Sequence, residues 1–96
     1  MIYAIVIFDF RPGFEEESFK SVLKFKEMLS KEKNANKIKV LKSTVNPRQI
    51  ALQAQLNSKK DFDELKNKIQ SMDLNELLIF ANYLSSQPIF YSFEEL

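Results

Sequence analysis

Few side chains in this 96-residue chain could bind or transform a small molecule, and their types point to hydrogen bonding and acid–base chemistry. Asp9 ends an otherwise apolar segment, and a carboxylate at the end of a strand is a candidate acid–base group. The alternative for this carboxylate is simple contact with solvent or with Arg11. The hydroxyl and amide groups that could hydrogen-bond a planar aromatic ligand belong to Tyr3, Gln53, Gln55 and Tyr91. We predict a ligand site built from these residues together with Asp9.

The residue types that are missing exclude most other site chemistry. The chain has no His and no Cys, which removes a Ser-His pair, a thiolate nucleophile, the usual haem ligand and Cys-type zinc sites. A single Gly cannot build a glycine-rich phosphate loop. A formal net charge of +1 gives no electrostatic case for nucleic acid or membrane binding. We therefore expect no metal, no cofactor, no nucleic-acid partner and no membrane partner.

The first eight residues are apolar and contain the β-branched and aromatic side chains typical of a buried strand. The run is far shorter than the ~20 residues needed to cross a bilayer. It also lacks the positive segment and the small-residue cleavage site of a secretory signal. We expect a cytoplasmic protein whose residues 1–96 form one domain, since a chain of this length supports one core.

Hydrophobic periodicity and turn residues divide the chain into strands and helices. Strands are predicted at residues 2–10, 38–45, 49–56 and 89–93. The first helix opens at Glu15, and its buried stripe is predicted to comprise Phe19, Val22, Leu23 and Leu29, widened by Phe25 and Met28. The second helix runs over residues 58–71, with Ser58 and Asp61 spaced as in a capping box.

Residues 73–84 have two interpretations. Asp73 and Glu76 resemble the start of a helix, and several leucines that follow fit one helical face. A strand over residues 77–84 is the competing interpretation. We favour a short apolar helix here.

Strict alternation in residues 49–56 places Ile50, Leu52, Ala54 and Leu56 on one face of a sheet. If those residues lie under the helices, Gln53 and Gln55 point to the opposite face. The first strand is apolar on both sides, so either its odd- or its even-numbered residues share that open face. The order of elements predicts an α+β fold, the ferredoxin-like βαββαβ arrangement, with a four-stranded antiparallel sheet and helices on one face.

The whole chain resembles the dimeric α/β-barrel superfamily, above all its antibiotic-biosynthesis-monooxygenase-like members. The similarity lies in the order of elements, in Pro12 and Gly13 followed by three glutamates, in the polar turn at residues 46–48, and in a strand followed by Ser58-x-x-Asp61. The resemblance implies a homodimer in which two sheets pack face to face into a barrel. It also implies a pocket between the sheet and the helices or inside the barrel.

Departures from this superfamily narrow the chemistry. Its haem-degrading branch uses a His ligand and a Trp, and this chain has neither, so haem degradation is not expected. Its cofactor-independent, quinone-forming members commonly use an Asn, but no Asn of this chain aligns with such a motif. RNA-recognition modules of similar topology place aromatic residues on the third strand, and residues 49–56 contain none.

Two function hypotheses follow from the open sheet face. The first is a homodimer that binds or oxidises a small aromatic or apolar molecule without metal or haem. The second is a non-enzymatic interaction or regulatory module that uses the same face to bind protein. The sequence leaves open whether the chain is an enzyme.

Overall fold

The computed structural model describes residues 1–32, 35–70 and 82–96. Within these described residues, six elements follow one another: β1 (Ile2–Asp9), α1 (Glu15–Ser30), β2 (Asn36–Lys42), β3 (Gln49–Leu56), α2 (Lys59–Gln70) and β4 (Ile89–Glu94). The strands form one antiparallel sheet in the order β2-β3-β1-β4. The predicted βαββαβ order and the four-stranded antiparallel sheet are confirmed. The interpretation of residues 73–84 falls outside the described residues except at its end, where Leu84 forms an isolated bridge with Phe10.

The helices cover the face of the sheet formed by the even-numbered residues of β1 and β3. The buried members of this face are Ala4, Val6, Phe8, Ile50, Leu52, Ala54 and Leu56. Because side chains alternate along a strand, the odd-numbered residues of β1 lie on the opposite face. This resolves the choice that the two-sided apolar pattern of β1 left open.

Aromatic rings hold α1 against β1. Phe25 meets Phe8 edge to face with ring centroids 6.2 Å apart, and Phe10 stacks beside Phe8 at the same distance. Edge-to-face and offset pairs contribute about 0.5–1.5 kcal/mol beyond the burial of apolar area. The pair of Phe8 and Phe25 is therefore one of the contacts that pack α1 against the sheet.

The buried side of α1 differs from the predicted stripe. Val22, Phe25 and Leu29 are buried as expected, whereas Phe19 and Leu23 are exposed. Met28, which was expected to widen the stripe, is exposed as well. The position closest to the core in the first turns of the helix is taken by a small polar residue, Ser18, which is fully buried.

The turns around the helices follow the expected chemistry. Gly13 has φ +89°, a conformation that L side chains rarely adopt, and no atom lies within 4 Å of where a Cβ would stand. The glycine is therefore required by the backbone angle and not by lack of space. At the start of α2, the backbone N–H of Asp61 donates to Ser58 Oγ at 3.2 Å, which confirms the predicted cap.

Several strand ends differ from the sequence prediction: β2 begins at Asn36, two residues earlier than expected, and β4 ends at Glu94, one residue later. Strand β2 ends at Lys42, three residues earlier than expected, because Ser43 Oγ accepts hydrogen bonds from the N–H groups of Val45 and Asn46 and turns the chain. Strand β1 ends at Asp9, and the N–H of Phe10 donates to Arg48 O at 2.8 Å.

Candidate functional site

The face of the sheet that α1 and α2 leave uncovered, called the open face here, combines large apolar side chains with amides and hydroxyls. Strand register places Gln55 and Phe93 on either side of Tyr3, and Gln53 and Tyr91 on either side of Ile5. The open face consists of Tyr3, Ile5, Ile7, Asp9, Asn36, Lys39, Leu41, Gln49, Ala51, Gln53, Gln55, Ile89, Tyr91 and Phe93.

All five candidate ligand residues lie on this open face, but they do not form one cluster. Tyr3, Gln53, Gln55 and Tyr91 share one half of it. Asp9 lies six residues further along β1, about 20 Å from Tyr3 at 3.3 Å per residue. A small molecule cannot touch both halves of one chain at once. The role of these residues in binding stays a prediction.

In the Tyr3 half, the aromatic groups are held by local contacts. The ring of Tyr91 stacks on that of Phe93, with centroids 6.0 Å apart and planes 16° from parallel. The hydroxyl of Tyr3 donates to a carboxylate oxygen of Glu95 at 3.5 Å. The stacked pair offers a flat apolar surface of the kind that packs against another planar group.

In the other half, Asp9 is held by Gln49 and not by Arg11. The side-chain amide of Gln49 donates from Nε2 to Asp9 Oδ1 at 3.1 Å. The backbone carbonyl of Asp9 accepts hydrogen bonds from Ser85 N at 2.9 Å and from Ser85 Oγ at 3.1 Å. Arg11 directs its Nε to the carbonyl of Leu84 at 3.0 Å.

An open groove of about 300 Å³ lies beside this pair, where the β2–β3 connection meets the sheet. Its walls are formed by Ile7, Leu41, Lys42, Ser43, Thr44, Gln49 and Ala51. This volume is at the lower end of the range found for small-molecule sites. Gln49 lines this groove but was not among the predicted ligand residues. The alternation of β3 already placed it on the same face as Gln53 and Gln55.

Within the described residues, no group of three or more carboxylates could hold a metal ion. The expectation that the chain needs neither metal nor cofactor stays a prediction. No described helix is long and apolar enough to cross a membrane.

Comparison with known proteins relates the chain to one structural group. No protein-family model and no curated protein matches its sequence. Among solved structures, a putative antibiotic biosynthesis monooxygenase from Nitrosomonas europaea aligns over 100% of this chain and 99% of its own length, with TM-score 0.80 and 17% identity. One from Bordetella bronchiseptica aligns over 99% and 96%, with TM-score 0.80 and 10% identity.

A third solved structure is SnoaB, described as a cofactor-independent oxygenase from Streptomyces nogalater. It aligns over 98% of this chain and 91% of its own length, with TM-score 0.74 and 8% identity. At these low identities the likeness concerns the fold. The resemblance inferred from the sequence is thereby confirmed as a shared ferredoxin-like fold.

Proposed function

We propose that this chain forms a homodimer through its open face and binds or oxidises a small aromatic or apolar molecule there without metal or haem. The observation that carries the proposal is the composition of the open face. Ile5 pairs with Tyr91 and Ile7 pairs with Ile89, while Leu41 lies beside Ala51 at the other edge of the sheet, on a surface that α1 and α2 leave bare.

The homodimer part rests on the amount of apolar surface left in water. On the open face, Leu41, Ile89, Tyr91 and Phe93 are between 41% and 54% exposed. Burying apolar area contributes roughly 25 cal/mol per Å², and contiguous apolar patches usually mark an interface or a ligand surface. A second copy is the occupant that always presents a matching patch, since a two-fold interface pairs the same surface with itself.

The ligand part rests on the polar groups set into this apolar surface. The Tyr3 half offers amides and a stacked aromatic pair, and the Asp9 half offers the groove with Gln49. Both positions suit a planar apolar body that carries few polar groups. The solved structure described as a cofactor-independent oxygenase has the same fold, which supports oxidation as the reaction to test.

Oxidation without a cofactor requires a substrate that itself reduces dioxygen. Anthrone is such a molecule: with one dioxygen it gives anthraquinone and one water, so the substrate supplies the electrons and no external reductant is used. The protein would bind the substrate and accept a proton from it. On the open face, the carboxylate of Asp9 is a group that could accept this proton.

The homodimer is tested by sedimentation at micromolar concentration, with one variant on the open face and one away from it. We expect the wild type at twice the 11.3 kDa of the chain. Phe93→Lys should give a monomer, because it places a charge in the apolar interface. Phe19→Lys, at an exposed Phe on α1, is the matched control and should stay dimeric. A monomeric wild type would refute the homodimer.

The ligand is tested by titrating the dimer with anthrone and following dioxygen uptake and the absorbance of anthraquinone. We expect uptake above the rate in buffer, and loss of that excess in Phe93→Lys. If anthrone binds but dioxygen uptake stays at the rate in buffer, the protein binds the molecule without oxidising it, and the oxidation part is refuted. A dimer that binds no aromatic molecule would contradict the ligand part and favour the interaction module.

A further inference from the structure

The groove contains one side chain whose hydrogen-bonding direction is fixed by a charged neighbour. A carboxylate only accepts hydrogen bonds, so the amide of Gln49 must direct its Nε2 toward Asp9. The structure has this arrangement, with Gln49 Nε2 3.1 Å from Asp9 Oδ1. The carbonyl oxygen Oε1 is then the part of this groove-lining amide that remains for other donors. Among the described residues, none donates to it.

The backbone on both sides of this contact is held in place. Gln49 N donates to Asn46 O at 3.1 Å, and Gln49 O accepts from Ser43 N at 3.1 Å, which ties the residue to the β2–β3 turn. The two hydrogen bonds from Ser85 hold the backbone of Asp9 in the same way. Both residues are half-buried, so water competes less for the contact than it would at an exposed position.

The wall of the groove has a polar part, formed by Lys42, Ser43 and Thr44, and an apolar part beside it. Ile7, Leu41 and Ala51 form this apolar part. An acceptor oxygen beside this apolar part of the wall favours a ligand with a flat hydrocarbon body and a hydroxyl donor. At the Gln49 position the oxygen disfavours a ligand atom that only accepts, because the two acceptors would repel each other and stay unpaired.

We propose that Gln49 is the specificity-determining residue of this groove, which accepts a hydrogen bond from the hydroxyl of a bicyclic aromatic alcohol, and that Asp9 is a positioning residue that orients the Gln49 amide. The inference rests on the proposed function, since it takes the ligand to be aromatic. It goes beyond that function by naming the position, the donor group and the two residues.

The test compares two probes that differ only in the donor: β-naphthol and its methyl ether. Their fluorescence is titrated with the wild-type protein and with variants, and the ratio of the two dissociation constants is the readout. The chain has no Trp, so excitation beyond the absorption of tyrosine reports the probe alone. Gln87→Leu, at an exposed residue outside the sheet, is the matched control for the substitution.

We expect the wild type to prefer β-naphthol, and Gln49→Leu to weaken its binding about five- to tenfold while changing the methyl ether little, since one neutral hydrogen bond is worth about 1 kcal/mol. Asp9→Asn removes the charge that fixes the amide. The amide can then turn and present Nε2 to the groove, so β-naphthol should bind more weakly and the ether more tightly. A structural role for Asp9 would instead weaken both probes alike.

The outcomes separate this inference from the proposed function. If the wild type binds neither probe, the ligand part of the proposed function fails, and the inference fails with it. If both probes bind but Gln49→Leu leaves their ratio unchanged, only the inference is overturned. Loss of the preference in Gln53→Leu in place of Gln49→Leu would overturn it too, and would move the site to the Tyr3 half.

Discussion

Ser18 on α1 is buried in a way that should destabilise the fold, and its substitution by Ala tests this. Its side chain is fully buried, and its Oγ has no hydrogen-bond partner among the described residues. Burying a hydroxyl without a partner costs about 1–3 kcal/mol. Ala also has the higher helix propensity, by about 0.5 kcal/mol, while the lost contacts of one oxygen atom offset part of the gain. We expect Ser18→Ala to raise the free energy of unfolding by about 1–2 kcal/mol.

The same helix contains a second serine, Ser21, whose substitution by Ala serves as a control for the change in helix propensity. Ser21 Oγ donates to Glu17 O at 2.9 Å, so Ser21→Ala gains the same propensity but loses a hydrogen bond worth about 1 kcal/mol. We expect its free energy of unfolding to change by about 0.5 kcal/mol or less. Helix propensity is common to both variants, so the difference between them reports the contrast between an unpaired and a hydrogen-bonded hydroxyl.

Urea titration and thermal melting, both followed by circular dichroism, measure the two variants. A gain of 1 kcal/mol corresponds to about 4–8 °C in Tm for a domain of up to 100 residues. Equal shifts in both variants would mean that helix propensity alone acts, and would refute the reasoning. A loss of stability in Ser18→Ala would refute it more directly, because the hydroxyl would then have to be satisfied.

The remaining predictions concern the core and the cap of the second helix. Val22→Ala should lower the free energy of unfolding by about 2–3 kcal/mol, because it leaves a cavity in the core. Leu23→Ala, at the next and exposed position, should lower it by less than about 1 kcal/mol. Similar losses for both variants in urea titration would contradict the difference in burial between the two residues. Ser58→Ala should lower the free energy of unfolding by about 1 kcal/mol, because the N–H of Asp61 loses its acceptor. Ser58→Asp retains an acceptor and should keep most of the wild-type stability in the same titration.

The sheet could be predicted from the sequence because period-two alternation is unambiguous where the two faces differ in polarity. Strand β3 is such a case, with leucines and isoleucine against glutamines. In β1 both faces are apolar, so the pattern fixed a central strand but not which side the helices cover. That choice depends on tertiary packing, in which Phe8 meets Phe25.

The buried side of α1 could be predicted only in part, because its apolar residues cover too wide an arc. Counting apolar side chains favoured Phe19 and Leu23, whereas the helix is rotated so that Ser18 faces the core. A polar residue at the centre of a buried face gives no hydrophobic signal. The rotation follows from the fit of Val22, Phe25 and Leu29 to the sheet.

The sequence predicted which residues of the candidate site share a face of the sheet, but not which of them are in contact. Parity along each strand places Tyr3, Gln53, Gln55 and Tyr91 on one side of the sheet. The contact between Asp9 and Gln49 depends on the pairing of β1 with β3. The two residues are some forty positions apart in the chain, and nothing local in the sequence specifies that register.

The central position of β1 in the sheet has a consequence for the nascent chain. Its partners are made much later, since Phe8 pairs with Ile50 and Ile2 pairs with Glu94. At about 5–20 residues per second, this apolar segment waits several seconds for either neighbour, with both edges unpaired. Unpaired apolar edges invite association with other chains. During translation, the time before β3 and β4 emerge is therefore the period when a chaperone that covers β1 would contribute most to the yield of folded protein.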